Sequence, residues 1–235
     1  MTPPLLVYYV ISPFYQNYNE YIKSEITAEL FGQTVPQQVR RDKCWSEPTR
    51  ELGDGIQIAP CGMKATSVFN DTIDIQWYDI DRSHTAWRTD VERYNNPEDY
   101  PSRPKTSWLF ERYPDVVSEE SGVKSEAFAD WMRPSAMPYV ANRYGWIHSK
   151  LEKDTVLNVT IDSTFPTRSF GGKKMFIVTE VQPLGGRHNT FGLLLIVGGI
   201  CCFLLAAAAG AIELCTASKE ACGEESDEGA STDPE

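Results

Sequence analysis

The 235-residue sequence predicts a mainly β protein: an antiparallel β-rich domain with long loops and one short amphipathic helix, followed by one transmembrane α-helix. Three observations support this fold class. Runs of alternating or β-branched residues recur along the chain, aromatic residues follow helical spacing in one segment, and a long apolar stretch lies near the C terminus. With 41% hydrophobic and 11% aromatic residues, the chain can bury a packed core.

The strands are predicted from four segments with alternating or β-branched character. They are Leu5 to Ile11, Asp71 to Trp77, Thr155 to Ile161 and Lys174 to Val181. The stretch from Trp87 to Pro114 is rich in proline, asparagine, tyrosine and charge. It predicts a long surface excursion between sheet elements.

One segment favours a helix over a strand. Ser125 can cap it, and Phe128, Trp131 and Met132 lie on one helical face at spacings of three and four. Pro134 then forces a break. The segment therefore predicts a short amphipathic helix that packs through its aromatic side chains.

The stretch from Phe191 to Ile212 contains no charged residue and no proline. As a helix it reaches about 33 Å, which matches a bilayer hydrocarbon core. A buried helix of a soluble protein is the alternative, but such a helix normally shows a polar face. Gly198, Gly199 and Gly210 offer small surfaces where another transmembrane helix could approach closely.

Beyond the apolar stretch, the segment from Glu213 to Glu235 predicts a disordered acidic tail. It carries eight acidic residues and a single basic one, Lys219, so it accounts for most of the net charge of −11. The rest of the chain is only mildly acidic. This balance argues against nucleic-acid binding, which requires basic side chains to neutralise phosphates.

The six cysteines separate by position into a pair before the apolar stretch, a pair within it and a pair beyond it: Cys44 and Cys61, Cys201 and Cys202, and Cys215 and Cys222. Their spacing fits no zinc site. Cys61 could be a nucleophile, a metal ligand or half of a disulfide, depending on the side of the membrane. On an oxidising side, a bridge to Cys44 would close a loop containing Glu47, Pro48 and the turn-prone residues 53–55, a constraint worth about 3 kcal/mol.

Two asparagines head glycosylation sequons, Asn70 in NDT and Asn158 in NVT. Chance alone gives roughly one such match in a chain of this composition. The two sites gain weight because both lie on the same side of the apolar stretch as Cys44 and Cys61.

The sequence contains no motif that predicts a catalytic residue, a metal ligand or a cofactor site. The glycine-rich stretch from Phe170 to Met175 fails the phosphate-loop pattern, with Thr167 in place of the first glycine and Lys174 in place of the hydroxyl residue, so it predicts a hairpin loop. Histidines 84, 148 and 188 are isolated in sequence, and no GxSxG elbow accompanies them. We therefore expect a protein that is not an enzyme.

Several motifs together resemble one family, and they occur in that family's order from about Tyr8 to Leu205. They are YYVISPFYQNYNEYIKS, IAPCGMKATSVFNDT, AFADWMRPSAMPYVANRY, LNVTI followed by FPTRSFGGKKM, and PLGGRHNTFGLLLIVGGICCFLL. The chain resembles the cell division control protein 50 family, the non-catalytic β-subunits of type IV P-type ATPases that translocate phospholipids.

This resemblance implies an accessory subunit without catalysis or cofactor of its own. Such subunits bind the ATPase catalytic subunit in the phospholipid membrane, accompany it out of the endoplasmic reticulum and support its phosphorylation cycle. The resemblance further implies a Cys44–Cys61 disulfide, an N-glycan on Asn158 and, with a weaker match, another on Asn70. We expect residence in the endoplasmic reticulum, Golgi, endosome or plasma membrane.

The resemblance also implies a domain order. Residues 1–186 form a luminal or extracellular ectodomain, residues 187–212 a short lead and the transmembrane helix, and residues 213–235 a cytoplasmic tail. The family normally has a second, earlier transmembrane helix, so we expect this sequence to be N-terminally truncated. The rival interpretation is a single-pass adhesion or receptor-like glycoprotein.

Overall fold

The computed structural model describes residues 1, 3–44, 55–181 and 189–227. It divides into two units, Met1–Pro183 and Leu184–Glu235. The predicted ectodomain boundary at residues 186 and 187 lies outside the described residues, so the predicted domain division stays a prediction.

The first unit contains the strands, and the part of the chain that the structure describes has seven of them. They are β1 (Leu5–Ser12), β2 (Gln57–Ala59), β3 (Thr72–Ile75), β4 (Thr106–Trp108), β5 (Val140–Ile147), β6 (Val159–Asp162) and β7 (Lys173–Glu180).

Short α-helices connect these strands, and one long helix forms the second unit. In chain order they are α1 (Asn19–Lys23), α2 (Thr27–Leu30), α3 (Gln37–Lys43), α4 (Met63–Thr66), α5 (Arg88–Arg93), α6 (Leu109–Arg112), α7 (Glu126–Trp131) and α8 (Asn189–Asp227).

The central sheet has the order β5-β1-β7, and both pairings are antiparallel. Strand β1 lies between two partners because its sequence is apolar at nearly every position, which suits a strand covered on both faces. Leu5, Val7 and Ile11 on one face of β1 join the main core with Phe128 and Trp131 of α7. The predicted strands at Leu5 and Lys174 are thereby confirmed.

Two smaller sheets flank the central one. Strands β3 and β6 form an antiparallel ribbon that confirms the predicted strand at Asp71 and the second half of the one at Thr155. Strands β2 and β4 pair in parallel, a direction that the antiparallel prediction did not include.

The predicted surface excursion from Trp87 to Pro114 is wrong at Ser107, Trp108 and Leu109, which are buried. Trp108 and Leu109 are only 3% and 2% exposed. Trp108 is fixed there because its indole Nε1 donates to the Pro101 carbonyl at 2.8 Å and the Arg103 guanidinium lies over its ring. Within a segment rich in proline and charge, the aromatic side chain of Trp108 is thus anchored in the core.

The predicted amphipathic helix is confirmed as α7, where Phe128 and Trp131 are fully buried. The sequence did not predict the other short helices. Each has seven residues or fewer, which is too short for a 3.6-residue hydrophobic repeat to show.

Helix α8 contains the predicted transmembrane stretch. Its residues Phe191–Thr216 include an 18-residue stretch with a mean hydropathy of 2.6 and are long and apolar enough to cross a membrane. The helix continues past Ile212, where the sequence predicts disorder, through Asp227, the last described residue.

The carboxylate of Asp130 in α7 is buried where its charged form is disfavoured. Asp130 Oδ2 is buried without a hydrogen-bond partner among the described residues. Burial raises the pKa of Asp130 to about 6, although the charge and backbone N–H of Arg143 and the charge of Arg133 oppose the shift. The ionised carboxylate therefore destabilises the fold at neutral pH.

Replacing this carboxylate by an amide tests that conclusion. We expect Asp130→Asn to raise the free energy of unfolding at neutral pH by about 3 kcal/mol, since the folded-state pKa lies about two units above the ordinary value. The gain should shrink as pH falls through 6 and vanish below about pH 3, where the wild-type carboxyl is protonated in both the folded and the unfolded state. Chemical denaturation across this range measures it.

Asp81 provides the matched control. Hydrogen bonds from Ser83, with a further one from His148, lower the pKa of this exposed carboxylate to about 2. Asp81→Asn should therefore destabilise the protein at neutral pH. A gain for Asp130→Asn that does not depend on pH would contradict the assignment.

Candidate functional site

The structure joins Cys44 and Cys61 by a disulfide between Cα atoms 5.8 Å apart. Both residues are buried, and Ile26 completes a small apolar cluster with them. Cys44 follows directly on α3 and its backbone N–H donates to the Arg40 carbonyl at 2.8 Å, so the helix end positions the sulfur. Of the loop that the bridge closes, Glu47, Pro48 and residues 53 and 54 lie outside the described residues.

A buried ion pair lies beside the disulfide. Arg40 Nε is 2.9 Å from Glu29 Oε1, and the two side chains are only 9% and 7% exposed. Glu29 Oε2 accepts the backbone N–H of Cys61 at 2.9 Å, while Arg40 donates to Gln57 Oε1 at 2.7 Å and to the Ile58 carbonyl. We call Glu29, Arg40, Gln57 and Ile58, together with the disulfide, the Cys44–Cys61 node.

Both charges of the ion pair are buried away from water, which costs free energy. The hydrogen bonds to Glu29 and Arg40 offset part of this desolvation cost. Burial raises the pKa of Glu29 and lowers that of Arg40, since desolvation disfavours both charged forms. Their mutual attraction opposes both shifts, and so does the Cys61 N–H at Glu29. Charges buried in this way are tolerated only while every partner is present.

The residue after Cys61 must be glycine. Gly62 has φ of +115°, and a Cβ there would overlap the Ser24 carbonyl. Next to it, the backbone N–H of Lys64 donates to Ser24 Oγ at 3.3 Å, and the buried Lys64 ammonium pairs with Glu25. These contacts pack the APCG stretch against Ser24 and Glu25, which lie between α1 and α2.

The Cys44–Cys61 node has a structural role, not a chemical one. Both sulfurs are bonded to each other and buried, so neither is available as a nucleophile or metal ligand in this state. Across the described ranges there is no group of three histidine, cysteine or acidic side chains that could hold a metal ion.

The two sequon asparagines differ in exposure. Asn70 is half-buried, its carbonyl accepts from Thr164, and the following Asp71 is buried against Lys174. Asn158 is exposed at the start of β6, and its Nδ2 donates to Gln76 Oε1 at 2.8 Å. Glycosylation at either position stays a prediction.

A surface that the sequence analysis missed lies on the central sheet. The register pairs Val10 with Met175 and Tyr8 with Ile177, so these four side chains share one face. Met175 and Ile177 are 50% and 43% exposed. We call these four residues the outer sheet face. A signal for this surface was present in the sequence of β7, which is apolar at odd and even positions alike. Such a strand carries apolar side chains on both faces of the sheet, the outer face included.

Comparison with known proteins gives a consistent result. A model described as LEM3 (ligand-effect modulator 3) family / CDC50 family matches residues 1–219. "ALA-interacting subunit 3" of Arabidopsis thaliana is 33% identical over 219 residues, with 88% of this chain and 59% of the relative covered.

Two further relatives come from animals and fungi. "Cell cycle control protein 50B" of Homo sapiens is 30% identical over 230 residues, with 86% of this chain and 64% of the relative covered. "Phospholipid-transporting ATPase accessory subunit LEM3" of Saccharomyces cerevisiae is 26% identical, with 84% and 51% covered. The chain thus spans between half and two thirds of the length of these relatives.

The node predicts an asymmetric response to mutation. Arg40→Met should lower the free energy of unfolding by about 3 kcal/mol or more, because it leaves the Glu29 carboxylate buried and unpaired. The loss should shrink on acidification as Glu29 is protonated. Equilibrium unfolding with the disulfide intact measures both effects.

The exposed pair Arg88–Glu92 supplies the matched control, with side chains 90% and 58% exposed. Arg88→Met should change stability by no more than about 0.5 kcal/mol. The double variant Glu29→Gln with Arg40→Met should recover part of the loss, because no charge is left buried. Equal effects of Arg40→Met and Arg88→Met would contradict the assigned role of the node.

Proposed function

Because the chain belongs to the LEM3 (ligand-effect modulator 3) / CDC50 family, we propose that it is an accessory subunit of a phospholipid-translocating type IV P-type ATPase. The observation that carries the proposal is the family match over residues 1–219, together with a yeast relative named as a phospholipid-transporting ATPase accessory subunit. In this role the chain catalyses nothing. The partner hydrolyses ATP and moves the lipid, and this chain supports its exit from the endoplasmic reticulum and its transport cycle.

The first unit supports a binding role. The Cys44–Cys61 node stabilises a domain with a buried ion pair and a continuous core, and two residues of the outer sheet face, Met175 and Ile177, expose apolar side chains to solvent while Val10 of the same face is buried. Exposed apolar surface of this kind is typical of a protein contact. We assign the outer sheet face to the exoplasmic loops of the ATPase.

The apolar helix α8 supports a second contact, inside the membrane. At about 100° per residue, Gly192, Gly199 and Gly210 fall within about 20° of one another around the helix. Apart from the backbone of α8 itself, a Cβ at any of the three would meet no atom of the described residues within 4 Å. Small residues on one helical face allow close approach of a partner helix. We therefore place the catalytic subunit against the Gly199 face.

The disulfide and the sequons support an exoplasmic location for the first unit. A buried disulfide persists in oxidising compartments and is reduced in the cytosol. We therefore place residues 1–181 in the lumen of the secretory pathway or outside the cell.

Co-purification tests the assembly. The chain, tagged and extracted in mild detergent with the ATPases of its own organism, should recover a type IV P-type ATPase. Gly199→Leu should reduce the recovered ATPase several-fold, because the added side chain separates the helices. Gly198→Leu adds the same bulk on another face and should leave recovery unchanged. Recovery of no ATPase by the unmodified chain would refute the proposal.

Peptide mapping tests the compartment. Digestion without reductant should release one disulfide-linked peptide pair containing Cys44 and Cys61, and glycosidase treatment should lower the apparent mass. The exposed Cys215 on α8 should react with a thiol reagent in the same sample and serves as the internal control. Free thiols at both Cys44 and Cys61 without a glycosidase shift would place the domain in the cytosol.

A further inference from the structure

Trp77 occupies a turn position that ordinarily belongs to glycine. It is the third residue of the turn Ile75–Tyr78, in which the Tyr78 N–H donates to the Ile75 carbonyl at 3.0 Å. Its φ is +72°, and a turn with positive φ at this position favours glycine or asparagine. A tryptophan here is strained, so its presence calls for a compensating contact.

The Trp77 side chain is also the most exposed of the large apolar side chains in the described residues, at 88%. No described ring or guanidinium stacks on it. Trp87, by contrast, is 55% exposed and has the Arg133 guanidinium 4.9 Å from its ring centroid. A strained and uncovered indole is typical of a binding surface.

The residue directly before Trp77 contacts the exposed sequon asparagine. Gln76, directly before Trp77, donates its backbone N–H to the Asn158 carbonyl at 3.0 Å and accepts from Asn158 Nδ2 at 2.8 Å. These two bonds join segments 82 residues apart in the sequence. They hold the Asn158 side-chain amide, which would carry the sugar, against the residue that directly precedes Trp77 in the chain.

We propose that the indole of Trp77 is the docking surface for the first sugars of an N-linked glycan on Asn158. The inference rests on the exoplasmic location in the proposed function. In the modification, Asn158 Nδ2 bonds to C1 of the first N-acetylglucosamine while the C1–O bond to a lipid-linked diphosphate donor breaks. The diphosphate keeps the bonding electrons and the amide loses one proton.

The Gln76 contact suits this modification because an asparagine amide has two N–H groups. Glycosylation uses one, and the other can continue to donate to Gln76 Oε1. Gln76 is therefore a positioning residue that fixes the direction of the sugar–amide bond. The apolar face of a pyranose can then lie on the indole, which offers a broad apolar surface.

The other sequon lacks these features. The aromatic residue next to Asn70 is Phe69, which is 6% exposed and stacks on Tyr9 with ring centroids 3.8 Å apart. The aromatic side chain directly before Asn70 is therefore unavailable to a glycan on that residue. Asn70→Gln is consequently the matched control for changes at Asn158.

Hydroxyl-radical labelling with mass spectrometry tests the proposal on the full chain, expressed in cells that glycosylate secretory proteins. Oxidation of Trp77 should rise several-fold when an endoglycosidase removes the glycan from the folded protein, while oxidation of Trp87 should not change. Asn158→Gln should reproduce the rise, Asn70→Gln should not, and Gln76→Ala should give part of it.

Three outcomes would overturn the proposal. They are equal oxidation of Trp77 with and without the glycan, an Asn158 that carries no glycan, and protection of Trp77 by the ATPase irrespective of the glycan. The last would assign Trp77 to a protein contact and leave the proposed function intact. Failure to recover an ATPase together with glycan-dependent protection would reject the proposed function while supporting this inference.

Discussion

The pairing of Glu29 with Arg40 beside the Cys44–Cys61 disulfide is the interaction on which the first unit depends. Its two charges come from α2 and α3, and its hydrogen bonds reach Gln57 of β2 and the backbone of Cys61. Desolvation makes such a pair unfavourable unless each lone pair and proton is satisfied. The disulfide joins the end of α3 to the residues after β2. It stabilises the folded domain because it lowers the conformational entropy of the unfolded chain.

The node links local structure to the proposed role. Strand β2, held by Arg40, pairs with β4, which places Trp108 in the core. Gly62 and Lys64 continue the same stretch into α4, where the Lys64 carbonyl accepts the indole N–H of Trp131 at 2.9 Å. The bridge therefore organises a domain whose free surfaces can bind a partner, and it can do so only where thiols are oxidised.

The sequence predicted those parts of the fold that have a local pattern. The burial of β1 follows from its unbroken apolar run, and α7 follows from the spacing of Phe128 and Trp131. The pairing of Cys44 with Cys61 came from the family resemblance, since spacing alone left the role of Cys61 open. The candidate transmembrane helix followed from length and hydropathy.

The missed features depend on contacts distant in sequence. Glu29 and Arg40 are ordinary charged residues until folding removes water from both, and Trp108 lies in a segment whose composition indicates a surface loop. The strain at Trp77 is visible only once the turn at Ile75–Tyr78 forms. Local periodicity carries no information about such contacts.

The proposed function requires this chain to act through a partner and to have no transport activity of its own. Three vesicle preparations test this: one with this chain alone, one with a type IV P-type ATPase of the same organism alone, and one with both proteins. In each, the ATP-driven movement of a fluorescent phospholipid between leaflets is measured. The account predicts lipid movement that is strong only in vesicles containing both proteins. Lipid movement by this chain alone, or equal rates with and without it, would contradict the account.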